Sequence, residues 1–348
     1  MKQEEIKSTA PAQVEINEIN FPDANFRKWL LEQDFGEGGV ISGADIAAVR
    51  VINVRNKQIS DLTGIEFFTH LTNLYCYGNR LVSLDVSGLT NLMDLECDNN
   101  QLTSLDVSRL VNLSSLTCSE NTLTSLDVSR LKNLRWLNCS SNQLTSLDVS
   151  ELKELATLYC SENKLTTLDL SRLTYLINLE CYENQLTSLD VSKSEYLTLL
   201  FCHQNQLTSL DVSGRYLLYL ICYDNQLTSL NVSGLTRLLW LVCSYNRLIS
   251  LDVSRLPKLE RLHCNNNQLT SLDVSKLKNL KELFCFENQL ISLDVSELKK
   301  LTSLYFYKNP LERVMLNSKI VKSWDKWGGK EVADKLGLEL VGTTLCKV

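Results

Sequence analysis

The sequence predicts an α/β solenoid: a right-handed superhelix whose short parallel strands stack into one concave sheet, with few or no convex helices and a small helical amino-terminal cap. Three observations predict it. The consensus LxxLxCxxNQLTSLDVSxLxx returns with a period of 21 residues through most of the chain. A cysteine marks the copies, at Cys76, Cys97, Cys118, Cys139, Cys160, Cys181 and Cys202, then after one step of 20 residues at Cys222, Cys243, Cys264 and Cys285. An asparagine follows three positions after each, and the column runs from Asn79 through Asn163 and Asn246 to Asn309. One coil cannot bury its apolar side alone, so coils with this period must stack on their neighbours.

Within a copy such as Leu134 to Leu152 the positions have separate jobs. Leu137 and Cys139 alternate along a short strand and point inward, and this first half of the copy is a leucine-rich-repeat pattern with cysteine in its third apolar slot. Leu144, Leu147, Val149 and Leu152 supply the apolar residues of the return path. The asparagine stands where the chain leaves its strand, where an amide satisfies buried backbone groups of the turn. Equivalent cysteines on adjacent strands point in parallel, which holds their Cβ atoms too far apart for disulfides. Without any CxxC pair, zinc spacing is excluded too, and a ladder of free buried thiols is expected. Asp85, Asp106, Asp127, Asp148 and their successors form a convex column. Each carboxylate is expected to cap the tight turn at the following serine, with Arg109, Arg130 or Arg172 offsetting charge.

Taken in order, residues 1–14 are polar and read as a disordered leader or linker. Residues 15–48 read as a helical cap: Phe26, Trp29 and Leu30 form an apolar face after Pro22 and Asp23. The segment from Asp34 to Asp45 has the outline of an EF-hand loop, but Gly36 and Gly38 occupy positions that should supply oxygen ligands, so a cap of that shape is expected without calcium. Residues 49–311 hold about thirteen coils, and residues 312–348, with Trp324 and Trp327, read as the closing cap.

Composition sets the outer bounds. The chain has 348 residues, 44% hydrophobic, with a net charge of -6. Such acidity argues against a nucleic-acid binder, and no apolar run reaches the roughly 18 residues of a membrane span. The first residues lack the apolar core of a signal peptide, which leaves two cases open: a cytoplasmic protein, or an exported one that has lost its signal. The histidines are His70, His203 and His263, with the last two about 14 Å apart at strand spacing. No nucleophile elbow, phosphate loop or dinucleotide fingerprint accompanies them. No enzyme, cofactor or metal is expected.

The cysteine-bearing 21-residue repeat, and the opening ISDLTGIEFFTHLTNL from Ile59 to Leu74, resemble the bacterial internalin family, in particular its members with a cysteine ladder. The resemblance spans residues 15 to about 311. It implies a secreted or surface-attached bacterial protein, an adhesin or host-interaction factor. The alternatives are a cytoplasmic scaffold or regulatory subunit, and a carbohydrate-binding module.

Since the consensus builds the scaffold, a binding site must come from variable positions. Strand residues flanking the inward leucine and cysteine face the concave side. In the early copies they are mostly polar, as at Asp94, Glu96 and Asp98, with Trp136 the main apolar exception. Later they become aromatic and aliphatic. Phe201, His203, Tyr219, Ile221, Tyr223, Trp240, Val242 and Tyr245 are the predicted ligand-binding residues, and Phe284, Phe286, Tyr305 and Tyr307 extend the aromatic content. Contiguous exposed aromatics mark interaction surfaces. A monomer that takes a protein ligand on this face is expected, with a glycan as the other candidate.

Overall fold

The computed structural model describes residues 12–212, 216–322, 333–334 and 338–347. Trp324 and Trp327 lie outside the described residues. The chain forms two compact units, Met1–Lys164 and Leu165–Val348.

The first unit opens with β1 (Gln13–Glu15), which pairs antiparallel with β2 (Val40–Ser42). Between them lie α1 (Ala24–Leu31) and a 3-10 turn, Asp34–Gly39; α2 (Gly43–Ala48) follows. Asp23 starts α1 by accepting the Asn25 and Phe26 amides, and its other carboxylate oxygen accepts the Ser60 amide and hydroxyl at 2.8 Å. One side chain thus caps a helix and ties it to the first coil. Phe26, Trp29 and Leu30 are buried as their spacing predicts, and Phe26 meets Phe21 edge to face at 5.7 Å. In the EF-hand-like segment a Cβ on Gly36 would stand 1.9 Å from the Leu30 carbonyl oxygen, so that position has no room for a side chain. Asp45 instead joins the cap of α2: its amide donates to the Ser42 hydroxyl, which donates to its carboxylate at 2.6 Å.

The coils of this unit contribute β3 (Val51–Asn53), β4 (Asn73–Tyr75), β5 (Asp94–Glu96), β6 (Ser115–Thr117), β7 (Trp136–Asn138) and β8 (Thr157–Tyr159), parallel and in direct register. Leu74, Leu95, Leu116, Leu137 and Leu158 form one fully buried column through them. The strands stop after three residues because the chain then turns through a left-handed residue. Asn99, Glu120 and Ser141 take φ of 50°, 52° and 53° there. Each such non-glycine residue costs about 1–2 kcal/mol, and the next side chain compensates. Asn121 accepts the Leu102 amide of the preceding coil at 2.9 Å, and donates to the Cys97, Cys118 and Ser119 carbonyls at 3.0–3.1 Å. The return path is made of turns: the Leu110 amide meets the Val107 carbonyl and the Leu113 amide the Leu110 carbonyl, both at 2.9 Å. Asp106 accepts the Ser108 amide at 2.9 Å, as the convex column predicts, and Asn231 plays the same part for Ser233.

The second unit repeats this plan in β9 (Asn178–Glu180), β10 (Leu199–Phe201), β11 (Tyr219–Ile221), β12 (Trp240–Val242), β13 (Arg261–His263), β14 (Glu282–Phe284) and β16 (Ser303–Tyr305). On its opposite side β15 (Ser292–Asp294) pairs in parallel with β17 (Arg313–Met315). The short helix α3 (Ser318–Lys322) follows, and the antiparallel strands β18 (Leu338–Val341) and β19 (Thr344–Lys347) extend that second sheet through β17. The ladder cysteines are buried and free, whereas Cys346 is half-buried. Burial pushes the Cys139, Cys243 and Cys285 thiols up to about 12.

Candidate ligand-binding face

On each strand the central leucine points inward, which turns the residues on either side of it to the sheet face. The residue after the ladder cysteine shares that face. Three columns result.

In the first unit they are mostly polar and largely bonded to one another, with Asp94 Oδ1 left without a hydrogen-bond partner. Arg55 pairs with Glu96, its guanidinium carbon lying 4.2 Å from the Tyr75 ring centre and 5.3 Å from that of Tyr77. The Tyr75 hydroxyl donates to Asp94 at 3.0 Å, and the Thr117 hydroxyl to Asp98 at 2.6 Å. Trp136 is the large apolar exception, 39% exposed, with its ring edge-on to Tyr159 at 5.3 Å.

The second unit is different. Tyr219 and Trp240 are partners in the first column, their rings 5.2 Å apart and nearly perpendicular. Arg261 lies 4.2 Å above the Trp240 ring and 3.4 Å from Glu282. The second column holds Phe201, Ile221 and Val242 in direct register, followed by His263, Phe284 and Tyr305. In the third column His203 is sandwiched between Tyr182 and Tyr223, with both centroid distances 4.4 Å. Desolvation pushes its imidazole down to about 4, and Nδ1 has no hydrogen-bond partner. This histidine is a neutral plate in an aromatic stack.

These strands therefore gather Phe201, His203, Tyr219, Ile221, Tyr223, Trp240 and Val242 on one face. Tyr245 sits apart from that group, in the left-handed turn after Cys243, with φ of 52° and 54% exposure. It borders a cleft of about 440 Å³ together with Tyr223 and Val242. The far wall is Phe284, Phe286, Tyr305 and Tyr307, and the floor is Ser244 and Asn265. The floor residues are each 5% exposed, and the Ser244 hydroxyl donates to Asn265 at 2.7 Å. The far wall was legible only as further aromatic content, because a cleft depends on short residues between long ones.

One aromatic row is missing from the sequence reading. Tyr175, Tyr196 and Tyr216 stack at 6.4 and 6.1 Å along the edge where the return path enters the strands, and Arg237 lies 5.5 Å from the last ring. All three are at least 44% exposed. Their positions match Asn91, Asn112 and Asn133 of earlier copies, whose amides donate to carbonyls one coil back. The repeat spacing was the available signal.

Among the described residues no three of His, Cys, Asp and Glu come together as a metal site. What the face offers chemically is ring faces, a few hydrogen-bonding groups and an open cleft walled by aromatic rings. No curated protein matches the chain. A family model described as "Leucine Rich repeats (2 copies)" matches residues 132–172 and 236–277. Among solved structures, an internalin from Listeria monocytogenes, InlF, superposes with a TM-score of 0.74 over 88% of this chain and 94% of its own, at 24% identity. That likeness carries the fold. The functional domain of InlJ from Listeria monocytogenes, which includes a cysteine ladder, is 37% identical over 87% of this chain and 73% of its own, with a TM-score of 0.79.

The chain belongs to the internalin family. The leucine-rich effector YopM from Yersinia pestis shares the solenoid more distantly, at 26% identity and a TM-score of 0.58 over 71% of this chain and 69% of its own. For this internalin-family chain the cysteine ladder is a shared scaffold feature, so the variable sheet-face columns are where an individual binding property would reside.

Proposed function

We propose that this chain is a non-enzymatic protein-binding module whose binding surface is the aromatic sheet face of its second unit. The observation that carries the reading is the Tyr219–Trp240 pair beside Phe201, Ile221 and Val242, at outward positions where the scaffold does not require apolar residues. Large aromatic side chains at such positions are the usual anchors of protein interfaces. Kinship with internalins adds the second half of the proposal, a protein secreted or held at the bacterial surface that meets a host or neighbouring protein. Among the described residues no helix is long and apolar enough to cross a membrane.

The test takes ligands selected from a displayed random-peptide library on the whole chain, then measures affinity and melting temperature for Tyr219→Ala, Trp240→Ala and Trp136→Ala. All three substitutions remove cross-strand packing and should lower the melting point. Binding should weaken by about 2 kcal/mol or more for Tyr219→Ala and Trp240→Ala, and stay unchanged for Trp136→Ala. The reverse pattern would move the surface to the first unit. Glycans arrayed against the same variants test the carbohydrate alternative, and fractionation of the producing cell tests the location.

A further inference from the structure

The third sheet-face column reads as a ladder with two rungs missing. Along it Tyr182, His203 and Tyr223 stack at 4.4 Å, and Phe286 and Tyr307 stack at 4.5 Å with planes 12° apart. Rings that stack from coil to coil lie across the direction in which the coils repeat. The free face of Tyr223 therefore looks towards that of Phe286. Between them stand the short, buried Ser244 and Asn265, whose polar groups bond each other at the floor. Three coil steps at about 4.8 Å separate the two rings, which leaves room for roughly two planar groups.

The surroundings favour positive charge in those groups, since Lys308, the cation beside Tyr245 and Tyr307, is already paired with Glu287. Asp224, next to Tyr223, is exposed and makes no ion pair among the described residues. The Tyr223 phenol is raised by burial and then by the negative charges of Glu183 and Asp224. His203, neutral down to acid pH, adds no opposing cation to the stack. The chain also shows how it fills such a rung itself. Arg55 holds the equivalent repeat position in the first unit, against Tyr75 and Tyr77 with Glu96 behind it, and Arg261 repeats the arrangement on Trp240 with Glu282. A guanidinium is planar as well as charged, so it stacks on ring faces where an ammonium cannot.

The geometry points to an arginine slot: the gap between Tyr223 and Phe286 receives one or two guanidinium groups from an extended, arginine-bearing segment of the protein ligand. This rests on the sheet face of the second unit being the binding surface.

The probe is an acetylated, amidated pentapeptide of glycines with arginine at the second and fourth positions, titrated calorimetrically into the whole chain. Versions with citrulline, lysine or tyrosine at those positions separate shape from charge. The arginine peptide should bind at least ~5-fold more tightly than each of the others, the range a desolvated cation–ring contact supports. Phe286→Leu should weaken it at least ~3-fold. Asp224→Asn, which keeps a residue type that tolerates the left-handed turn at φ of 53°, should do the same, and Trp136→Ala, in the first unit, should leave it unchanged. Equal binding of the citrulline or tyrosine peptide would overturn the cationic slot, and equal binding of lysine would overturn the stacking. No measurable binding of any peptide would remove the slot. A surface reading that fails shows up elsewhere, as library-selected ligands that ignore Tyr219→Ala and Trp240→Ala.

Discussion

At the scale of single residues, the turn asparagines and the stacked histidine make opposite demands on their polar groups. Asn121 satisfies an amide and three carbonyls at once, and so holds Glu120 in its left-handed conformation. Asn121→Ala should cost about 1–3 kcal/mol in chemical unfolding, because it orphans buried backbone groups; an unchanged denaturation midpoint would contradict that role. His203 is instead held neutral by desolvation, at about 4 against an ordinary value of 6.5. With the folded value depressed, the unfolded chain binds more protons between those two limits, so stability falls as pH drops from about 6.5 towards 4. His203→Phe keeps a ring in the stack and removes the proton. The melting temperature of that variant should decline less than that of the parent across this window, whereas parallel profiles would show that the histidine does not titrate as described. The convex aspartates act lower: Asp106, lowered by its bonds to Ser108, loses its contribution only as pH falls below the ordinary carboxylate range.

At the scale of the element, the repeating coil was almost wholly legible in the sequence. Its period fixes which leucines enter the core, and parallel stacking then places Cys97, Cys118 and Cys139 in one buried column without bridges. Thiol titration of the native chain should find Cys346 reacting first and the ladder silent until unfolding; several bridges between ladder cysteines by mass spectrometry would contradict the parallel geometry. Legibility ends where contacts depend on side-chain length rather than on period. Tyr223 and Phe286 look alike in any repeat alignment, and only the shortness of Ser244 and Asn265 makes the space between them a cleft. Likewise Asp45 reads as the last residue of a calcium loop, while its carboxylate accepts the Ser42 hydroxyl at the start of α2. The tyrosine row at Tyr175 was hidden because its slot is filled in earlier copies by asparagines serving the backbone.

At the scale of the molecule, one scaffold carries two different surfaces. In the first unit the sheet face ties polar and charged groups to one another, as Arg55 does with Glu96 and Thr117 with Asp98. In the second unit the same positions hold ring faces, an aliphatic strip and a cleft floored by Ser244 and Asn265. The leucines and asparagines that build the coils are the same in both, which separates fold from function along the chain. The central claim is that binding occurs on the second surface, and Trp136 and Trp240 provide a matched pair of reporters, since each holds the first position of its strand. Hydroxyl-radical footprinting of the chain with and without a library-selected ligand tests this most directly. The account predicts that oxidation of Trp240, Tyr219 and Tyr245 falls on binding while that of Trp136 is unchanged; protection of Trp136 with continued oxidation of Trp240 would contradict it.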